Sequence, residues 1–265
     1  NIFKQIKKNA ESKEKSIYTW CSNGYWAELK QQKPRDLDTV FMNKDVKTRI
    51  VKHIEWYVNN QKWYQERGIP YRTGVLLYGT PGTGKTSLIQ AIASKFDLDI
   101  YIMNPSDVST EDALRRAVAF MHKQSILLME DADTNIASTR QEKAEPIVKK
   151  SGESPPTETK KEEPKPRISL SSVLNAIDGI AAGDGRVLFM TTNHIEKLDP
   201  ALIRSGRIDL KVELGKLETD AALEMVKSFF PNKKEKELQK IVKNTEPKTG
   251  ADWQAYLTDL AKPKY

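Results

Sequence analysis

The sequence predicts an α/β protein with a five-stranded parallel sheet flanked by helices and a small C-terminal helical lid. Five short runs that are apolar throughout alternate with helical patterns, which is typical of strands buried on both faces of a parallel sheet. These runs cover residues 75–78, 100–103, 126–129, 187–190 and 210–214. The first run leads directly into a glycine-rich loop and a helical pattern over residues 85–95, an order that also indicates an α/β fold.

The stretch ahead of the sheet has the pattern of a hairpin followed by a helix. Residues 1–16 resemble the end of a polar, basic helix. Residues 17–21 and 25–29 are strand-like runs, and an Asn-Gly pair between them is a strong signal for a tight β-turn. Apolar residues recur at helical spacing from 45 to 64, which predicts one long helix before the first parallel strand.

Two further segments are predicted from composition and spacing. Residues 140–167 are rich in Lys, Glu and Pro, and a segment so poor in large apolar side chains cannot bury enough surface to offset its ordering entropy. We predict a mobile surface insertion there. After residue 214, apolar positions recur at helical spacing and predict the two or three helices of the lid. These positions are Leu223, Val226, Phe229, Phe230, Leu238, Ile241 and Val242.

The composition narrows the class of protein. The 265 residues carry a net charge of +7, but basic residues are interleaved with acidic ones. We therefore assign the excess charge to solvated surface and phosphate-binding residues rather than to a nucleic-acid or membrane surface. Cys21 is the single cysteine, so no intrachain disulfide can form and a reducing compartment is favoured. No apolar run approaches the ~20 residues of a membrane span.

The glycine-rich loop carries the clearest chemical signal. Residues 79–86 match the phosphate-loop pattern GxxxxGK(S/T) in full, with an apolar strand before them and a helix after them. Lys85 is predicted to reach the β- and γ-phosphates of ATP, and the Thr86 hydroxyl to ligate Mg²⁺. The alternative is a glycine-rich turn with an incidental lysine. The predicted nucleotide-binding residues are Gly79, Thr80, Pro81, Gly82, Thr83, Gly84, Lys85, Thr86 and Ser87.

An acidic pair follows the third apolar run. Carboxylates at the C-terminal end of a parallel strand beside a phosphate loop lie where Mg²⁺ and the attacking water are held. By position, Glu130 is predicted to hold the water shell of Mg²⁺, and Asp131 to orient the hydrolytic water. The alternative is a protein that binds ATP without hydrolysing it.

Three more residues complete the predicted catalytic set. Asn193 follows the fourth apolar run, where its amide can hydrogen-bond the attacking water or the γ-phosphate. Arg204 and Arg207 precede the fifth run, too far along the fold to reach their own γ-phosphate but well placed to reach a neighbour's. Such an arginine finger raises the rate by about 10³–10⁵. The alternatives are a turn asparagine and two surface arginines.

Taken together, these motifs resemble those of the AAA ATPases. More narrowly, the chain resembles the branch of mitochondrial inner-membrane chaperones that translocate the folded Rieske iron–sulfur protein during assembly of respiratory complex III, or the fungal relatives of that branch. The resemblance rests on the acidic pair, Glu130 before Asp131 instead of the usual Asp before Glu, and on three stretches, WYQERGIPYR, LNAIDG and MTTNH. It is strong from about residue 34 to 214.

The resemblance implies an AAA core over 34–215, interrupted at 140–167, a lid over 216–265, and the end of a family-specific middle domain over 1–33. It implies an ATPase that uses ATP and Mg²⁺, and a homo-oligomeric ring, described as heptameric. It also implies a folded protein cargo and a single N-terminal transmembrane anchor ahead of residue 1, in the mitochondrial inner membrane facing the matrix. A cytoplasmic location is the alternative.

Two other functions compete with the chaperone. A nucleic-acid-linked AAA motor would need a basic or aromatic binding stripe, and none stands out in the sequence. An ATP-binding scaffold that does not hydrolyse ATP would need only the phosphate loop. Peptide-threading AAA unfoldases carry an aromatic residue and a glycine in the loop after the second strand, and residues 104–111 contain neither. This favours a folded cargo over a threaded chain.

Overall fold

The computed structural model describes residues 15–21, 23–32, 34–104, 107–108, 110–133, 184–200, 203 and 206–262. The predicted insertion at 140–167 and the predicted catalytic residue Arg204 lie outside these residues.

The described residues form one sheet of seven strands, so the α/β class is confirmed. The strands are β1 (Lys15–Cys21), β2 (Tyr25–Gln32), β3 (Arg72–Tyr78), β4 (Asp99–Ile102), β5 (Ser125–Met129), β6 (Arg186–Thr192) and β7 (Leu210–Glu213). Their order is β2-β1-β4-β5-β6-β3-β7. Every neighbouring pair is parallel except the hairpin β1–β2.

The predicted count of five strands was therefore too low. The hairpin joins the sheet because β1 pairs in parallel with β4, with Ile17 opposite Ile100. Aromatic packing holds it there: the Trp26 ring lies edge-on to Tyr101 at 4.8 Å, and the Trp26 indole N–H donates to the carbonyl of Ala117 at 2.8 Å. These contacts join residues distant in the sequence, so the hairpin pattern alone did not reveal them.

Seven α-helices are described among these residues. They are α1 (Lys44–Asn59), α2 (Gln61–Glu66), α3 (Lys85–Phe96), α4 (Glu111–Ala119), α5 (Thr219–Phe229), α6 (Glu235–Lys243) and α7 (Gly250–Ala261). The helix predicted over 85–95 closely matches the observed α3. The single long helix predicted over 45–64 was wrong. Asn60 interrupts it with φ −117° and ψ 26°, and its side-chain amide donates to the Trp56 carbonyl at 2.6 Å. Asparagine competes with the helical backbone in this way.

Helices cover both faces of the sheet, which explains why its central strands are apolar throughout. Side chains alternate across a strand, so Val75 and Leu77 of β3 pack in one cluster with Ile89 and Ile92 of α3. Leu76 packs in a second cluster, which α4 contributes to from the other face. The lid has its own core around Trp253 of α7, with residues from α5 and α6. In the described part of the chain, no helix is long and apolar enough to cross a membrane.

Candidate functional site: a nucleotide site at the phosphate loop

The phosphate loop joins β3 to α3 and has a backbone that only glycine tolerates at key positions. Gly79 has φ +132°, and a Cβ on it would lie 2.1 Å from the Leu214 carbonyl oxygen. Gly82 has φ +78°, and a Cβ there would lie 2.9 Å from the Cβ of Ala251. Gly84 is the N-cap of α3 and provides no side-chain hydrogen bond. The first N–H groups of α3 therefore suit an anionic ligand such as a phosphate.

Lys85 points back into the loop. Its Nζ donates to the carbonyl of Gly79 at 2.7 Å, to the carbonyl of Thr80 at 3.2 Å, and to Oδ1 of Asn193 at 2.8 Å. Burial lowers the pKa of the Lys85 ammonium, and the nearby carboxylates of Asp131 and Asp133 partly offset this by raising it. An ammonium that is partly desolvated interacts strongly with a nearby phosphate, because fewer water molecules screen the charge.

Thr86 and Glu130 come together at the end of the loop. The Thr86 hydroxyl donates to Oε1 of Glu130 at 2.7 Å. Mg²⁺ usually binds through one or two protein oxygens, several waters and the phosphates of its substrate, and this pair fits that donor set. No cluster of three or more His, Cys, Asp or Glu side chains that could hold a metal ion is present among the described residues.

Asp131 has an unusual backbone for a residue other than glycine. Its φ is +46°, a conformation that persists at functional sites when the surroundings hold it. Its N–H donates to the Thr191 hydroxyl at 3.2 Å, and its Oδ1 accepts from the Asn193 amide at 3.4 Å. Asn193 therefore bridges Lys85 and Asp131, which connects three predicted site residues that follow three different strands.

Two buried residues support this bridge and were not predicted. Asp133 is 3% exposed, and its Oδ1 accepts from the hydroxyl of Thr192 at 2.6 Å. The Thr192 hydroxyl in turn accepts from the N–H of His194 at 2.9 Å. These bonds fix the backbone on both sides of Asn193. The four-residue run Glu-Asp-Ala-Asp contains the signal for Asp133, but a third carboxylate after a strand is usually solvated, so the sequence alone does not mark it as buried.

Arg207 lies at the other end of β3. A Cβ on Gly74 would lie 1.8 Å from the Arg207 carbonyl oxygen, so the two backbones are in direct contact. Asp209 anchors this segment, because its carboxylate accepts from the Thr73 hydroxyl at 3.0 Å and its N–H donates to the Gly74 carbonyl at 2.8 Å. Gly74 precedes Gly79 by five residues, or roughly 16 Å of strand. The structure does not bring Arg207 to the phosphate loop of its own chain.

A cavity lies beside the loop, and the sequence analysis did not predict it. It has a volume of about 190 Å³ and lies between the phosphate loop, the segment before α1, and the lid. The lid contacts the loop directly, since the N–H of Ala251 donates to the carbonyl of Gly82 at 3.0 Å. The sequence signal for this contact was Thr249, because a threonine that caps a helix marks where α7 begins. The cavity is lined by Arg35, Thr39, Val40, Phe41, Gly82, Thr83, Gly84, Ser87, Met225, Gly250, Ala251 and Gln254.

Comparison with known proteins identifies the family to which the chain is similar. Residues 75–216 match the family model of the ATPase family associated with various cellular activities (AAA). The chain is 36% identical over 245 residues to the probable mitochondrial chaperone BCS1-B of Dictyostelium discoideum, covering 87% of this chain and 54% of that protein. It is 37% identical over 240 residues to the mitochondrial chaperone BCS1 of Bos taurus, covering 87% of this chain and 53% of that protein.

A third relative shows the same pattern. The probable mitochondrial chaperone bcs1 of Schizosaccharomyces pombe is 34% identical over 223 residues, covering 84% of this chain and 46% of that protein. The chain thus spans about half the length of the curated relatives it matches. The resemblance to mitochondrial chaperones of the AAA class is confirmed. Because the family model covers more than half of the chain and includes the phosphate loop, the chain belongs to the AAA family of ATPases.

Proposed function

We propose that this chain binds ATP with Mg²⁺ and hydrolyses it to ADP and phosphate at a site completed by a neighbouring copy in a homo-oligomeric ring. The observation that carries the proposal is the bridge from Lys85 through Asn193 to Asp131, with bonds of 2.8 and 3.4 Å. In this bridge an ammonium group, a polar amide and a carboxylate lie side by side at the C-terminal edge of the sheet, where the attack on a γ-phosphate takes place in this fold.

Each residue of the site has a distinct role in the proposal. Lys85 and the first N–H groups of α3 bind the β- and γ-phosphates. Glu130 and the Thr86 hydroxyl would hold a Mg²⁺ ion, and the bound ion would neutralise charge on the phosphate oxygens. Asp131 accepts a hydrogen bond from the attacking water and orients it, while Asn193 holds the carboxylate of Asp131 in place through its amide.

The base and ribose of ATP are proposed to occupy the cavity between the loop and the lid. Val40 and Met225 provide apolar walls there, and Gln254 provides an amide that can hydrogen-bond a base edge. The bond between Ala251 and Gly82 joins the lid to the phosphate loop, so a nucleotide in the cavity would contact both parts of the molecule.

Hydrolysis is proposed to need a second copy, which supplies Arg207 and, by the sequence prediction, Arg204. The position of Arg207 beside Gly74, roughly 16 Å of strand away from Gly79, supports action in trans, because an arginine side chain cannot span that distance. A heptameric ring is the arrangement that the family resemblance implies.

For the whole protein, we propose a chaperone that translocates or remodels a folded protein in respiratory complex assembly at the mitochondrial inner membrane, facing the matrix. The relatives named as mitochondrial chaperones support this. The segment after β4 also supports a folded cargo. Met103 and Val108, its described apolar residues, are each 1% exposed and point into the core, so they do not offer a grip for an extended peptide.

Phosphate release from purified protein tests the proposal directly. The parent chain should turn over ATP, and Asp131→Asn should bind ATP within about threefold of the parent while hydrolysis falls by about 10²–10⁴-fold, the usual contribution of a residue that positions or activates water. A parent chain that binds ATP but releases no phosphate would instead support an ATP-binding scaffold. Undiminished turnover in Asp131→Asn would exclude Asp131 as the water-positioning residue.

A further inference from the structure

A series of side-chain hydrogen bonds connects α1, through β3, to the segment that carries Arg207. The Nε2 of His53 on α1 lies 2.8 Å from the Thr73 hydroxyl near the start of β3. The Thr73 hydroxyl donates to Oδ2 of Asp209 at 3.0 Å, and the N–H of Gly74 donates to the same oxygen at 3.1 Å. We call His53, Thr73 and Asp209 the His-Thr-Asp network. It joins three parts of the protein that are distant in the sequence.

The chemistry of the network determines which group donates each hydrogen bond. A hydroxyl has a single proton, and the proton of Thr73 is directed to the Asp209 carboxylate. The Nε2 of His53 must therefore carry a hydrogen and donate it to the Thr73 oxygen. Burial lowers the pKa of His53, while Asp209 raises it and Arg49 lowers it. The neutral ring is favoured as a result, and its one N–H is enough for the network.

Thr73 lies at the buried centre of the network. It is 3% exposed, and the following residues of β3 are buried as well. A valine has the same shape as a threonine, so packing alone does not require a hydroxyl at this position. A buried hydroxyl is costly without a partner, whereas one that donates to a carboxylate makes a strong hydrogen bond. The hydroxyl of Thr73 therefore serves the connection to Asp209.

The network holds the backbone next to Arg207. The N–H of Asp209 donates to the Gly74 carbonyl at 2.8 Å, and a Cβ on Gly74 would lie 1.8 Å from the Arg207 carbonyl oxygen. The segment 207–209 is thus held against β3 at both of its ends. An arginine side chain is long, so a small change in the direction of its backbone displaces the guanidinium considerably. A displacement of about 1 Å at a catalytic group can lower the rate by about 10²-fold.

We propose that the His-Thr-Asp network positions Arg207 for the nucleotide site of a neighbouring copy, so that His53 and Thr73 are positioning residues for ATP hydrolysis. The inference rests on the proposed function, since it assumes that Arg207 acts in trans. The network acts only through Arg207 and not through contact with the nucleotide. Its loss should therefore lower the turnover number and leave ATP binding as it is in the parent.

A pair of substitutions at Thr73 separates the hydrogen bond from the packing. Thr73→Val keeps the shape of the side chain and removes the hydroxyl, whereas Thr73→Ser keeps the hydroxyl and removes a methyl group. Thr73→Val should lower kcat by about 3- to 10-fold, the effect expected from one lost hydrogen bond. Its KM for ATP should stay within about twofold of the parent. Thr73→Ser should be faster than Thr73→Val.

The matched control is Thr245→Val, which removes a hydroxyl that donates to the Ile241 carbonyl at 2.7 Å in the lid. This variant should hydrolyse ATP like the parent, because its hydroxyl belongs to neither the network nor the nucleotide site.

His53 provides a second test that does not depend on the folding of Thr73→Val. His53→Leu removes the N–H donor, and His53→Gln keeps an N–H donor near the position of Nε2. His53→Leu should lower kcat with an unchanged KM, but less than Thr73→Val does, because the bond between Thr73 and Asp209 remains. His53→Gln should recover part of the loss. A parent-like kcat in His53→Leu would exclude His53 as a positioning residue.

A double-mutant cycle tests whether the network acts through Arg207. The rate of the chain that carries both Thr73→Val and Arg207→Ala is compared with the rates of the two single variants. A positioning residue has nothing to position once the arginine side chain is gone, so the double variant should turn over ATP as fast as Arg207→Ala. A general weakening of the fold would instead multiply the two losses.

Mixed assemblies identify which half of the shared site is impaired. When Thr73→Val is mixed with Lys85→Ala, some intact phosphate loops receive Arg207 from a Lys85→Ala neighbour, whose network is complete. Turnover per intact phosphate loop should therefore rise above that of Thr73→Val alone. Parent chains mixed with Lys85→Ala correct for the effect of a neighbour without the lysine. Mixing Thr73→Val with Arg207→Ala should give no rise, because both chains are impaired in the arginine half.

The inference is overturned if Thr73→Val keeps the kcat of the parent, if the two losses multiply in the double variant, or if the Lys85→Ala mixture shows no rise per intact loop. A slow Arg207→Ala together with any of these results overturns the inference alone. An Arg207→Ala chain that hydrolyses ATP as fast as the parent would overturn the proposed action in trans, and this inference with it.

Discussion

The Nζ of Lys85 and the Oδ1 of Asn193 lie 2.8 Å apart, across the space between the phosphate loop and the end of β6. The residue proposed to bind phosphate is thus in direct contact with the residue that holds Asp131. A γ-phosphate that attracts the ammonium of Lys85 would compete with the Asn193 oxygen for the same protons, so nucleotide binding and the position of Asn193 are chemically coupled.

Lys85→Ala should weaken ATP binding by about 10- to 100-fold, since hydrogen bonds to a charged group contribute roughly 1.5–3 kcal/mol. Isothermal titration calorimetry measures the affinity. Lys95→Ala is the matched control, because Lys95 is exposed at the far end of the same helix and should bind ATP like the parent. Equal affinity in Lys85→Ala and the parent would show that the loop does not bind phosphate through this lysine.

Glu130→Gln should raise the Mg²⁺ concentration needed for half-maximal turnover, because the amide keeps the shape of the carboxylate but loses its charge. The measurement is the ATPase rate against Mg²⁺ concentration at saturating ATP. Glu213→Gln is the matched control, since Glu213 is an exposed carboxylate at the end of β7. An unchanged Mg²⁺ curve for Glu130→Gln, together with a lost rate, would mean that Glu130 orients water instead.

Arg207→Ala should lower turnover in the assembled ring by about 10³-fold or more while ATP affinity stays near that of the parent, because the side chain acts on a neighbour's transition state. The same is expected of Arg204→Ala. Mixing Arg207→Ala subunits with Lys85→Ala subunits should recover part of the activity, since each supplies the group that the other lacks. Mixed rings that remain inactive would argue against action in trans.

ATP affinity should fall as the pH rises. The fall should begin at a lower pH than it would if Lys85 had the pKa of an ordinary lysine. Burial lowers the pKa of Lys85 below its usual value of 10.5, and bound phosphate favours the charged ammonium. The nucleotide-free protein therefore loses this proton earlier as pH rises, and ATP binding above that pH must restore it. Calorimetry at alkaline pH in buffers of different ionisation enthalpy should detect proton uptake on binding. The uptake should disappear in Lys85→Ala.

The ring should not unfold a stable tagged fluorescent protein even while it hydrolyses ATP. The described apolar side chains after β4 are buried in the core, so they provide no grip on an extended chain. Fluorescence is followed with a trap present that prevents refolding, and an established unfoldase serves as the positive control. ATP-dependent loss of fluorescence that also requires Asp131 would contradict the folded-cargo proposal.

The sequence was most informative where one local pattern determines structure. The phosphate loop was visible because glycines, a lysine and a threonine occur at fixed spacing, and the central strands because they are apolar throughout. The bridge through Asn193 was less visible, because it depends on how β5 and β6 align: Met129 pairs with Met190, and the polar residues after both strands then meet.

Other features depend on contacts between distant residues that no spacing records. The hairpin joins the sheet through Ile17 and Ile100, which are far apart in the chain. The cavity beside the loop combines segments from both ends of the chain, including Arg35 and Gln254. The break at Asn60 was not predictable from its residue type, because asparagine also occurs inside helices. The hydrogen bond from the Asn60 side chain to the Trp56 carbonyl accompanies the break and is visible only in the structure.

Because the seven strands form one continuous sheet, a small rotation at one edge produces a larger displacement at the other edge. Seven strands have six gaps, so the distance from β7, which follows Arg207, to the outer edge of the β1–β2 hairpin is about 29 Å at ~4.8 Å per gap. A rigid-body rotation of about 15°, the size known for subunit rotations in other assemblies, would move that outer edge by roughly 8 Å. A small pivot at β7 is therefore amplified at the hairpin, and any structure resting on the hairpin would move with it.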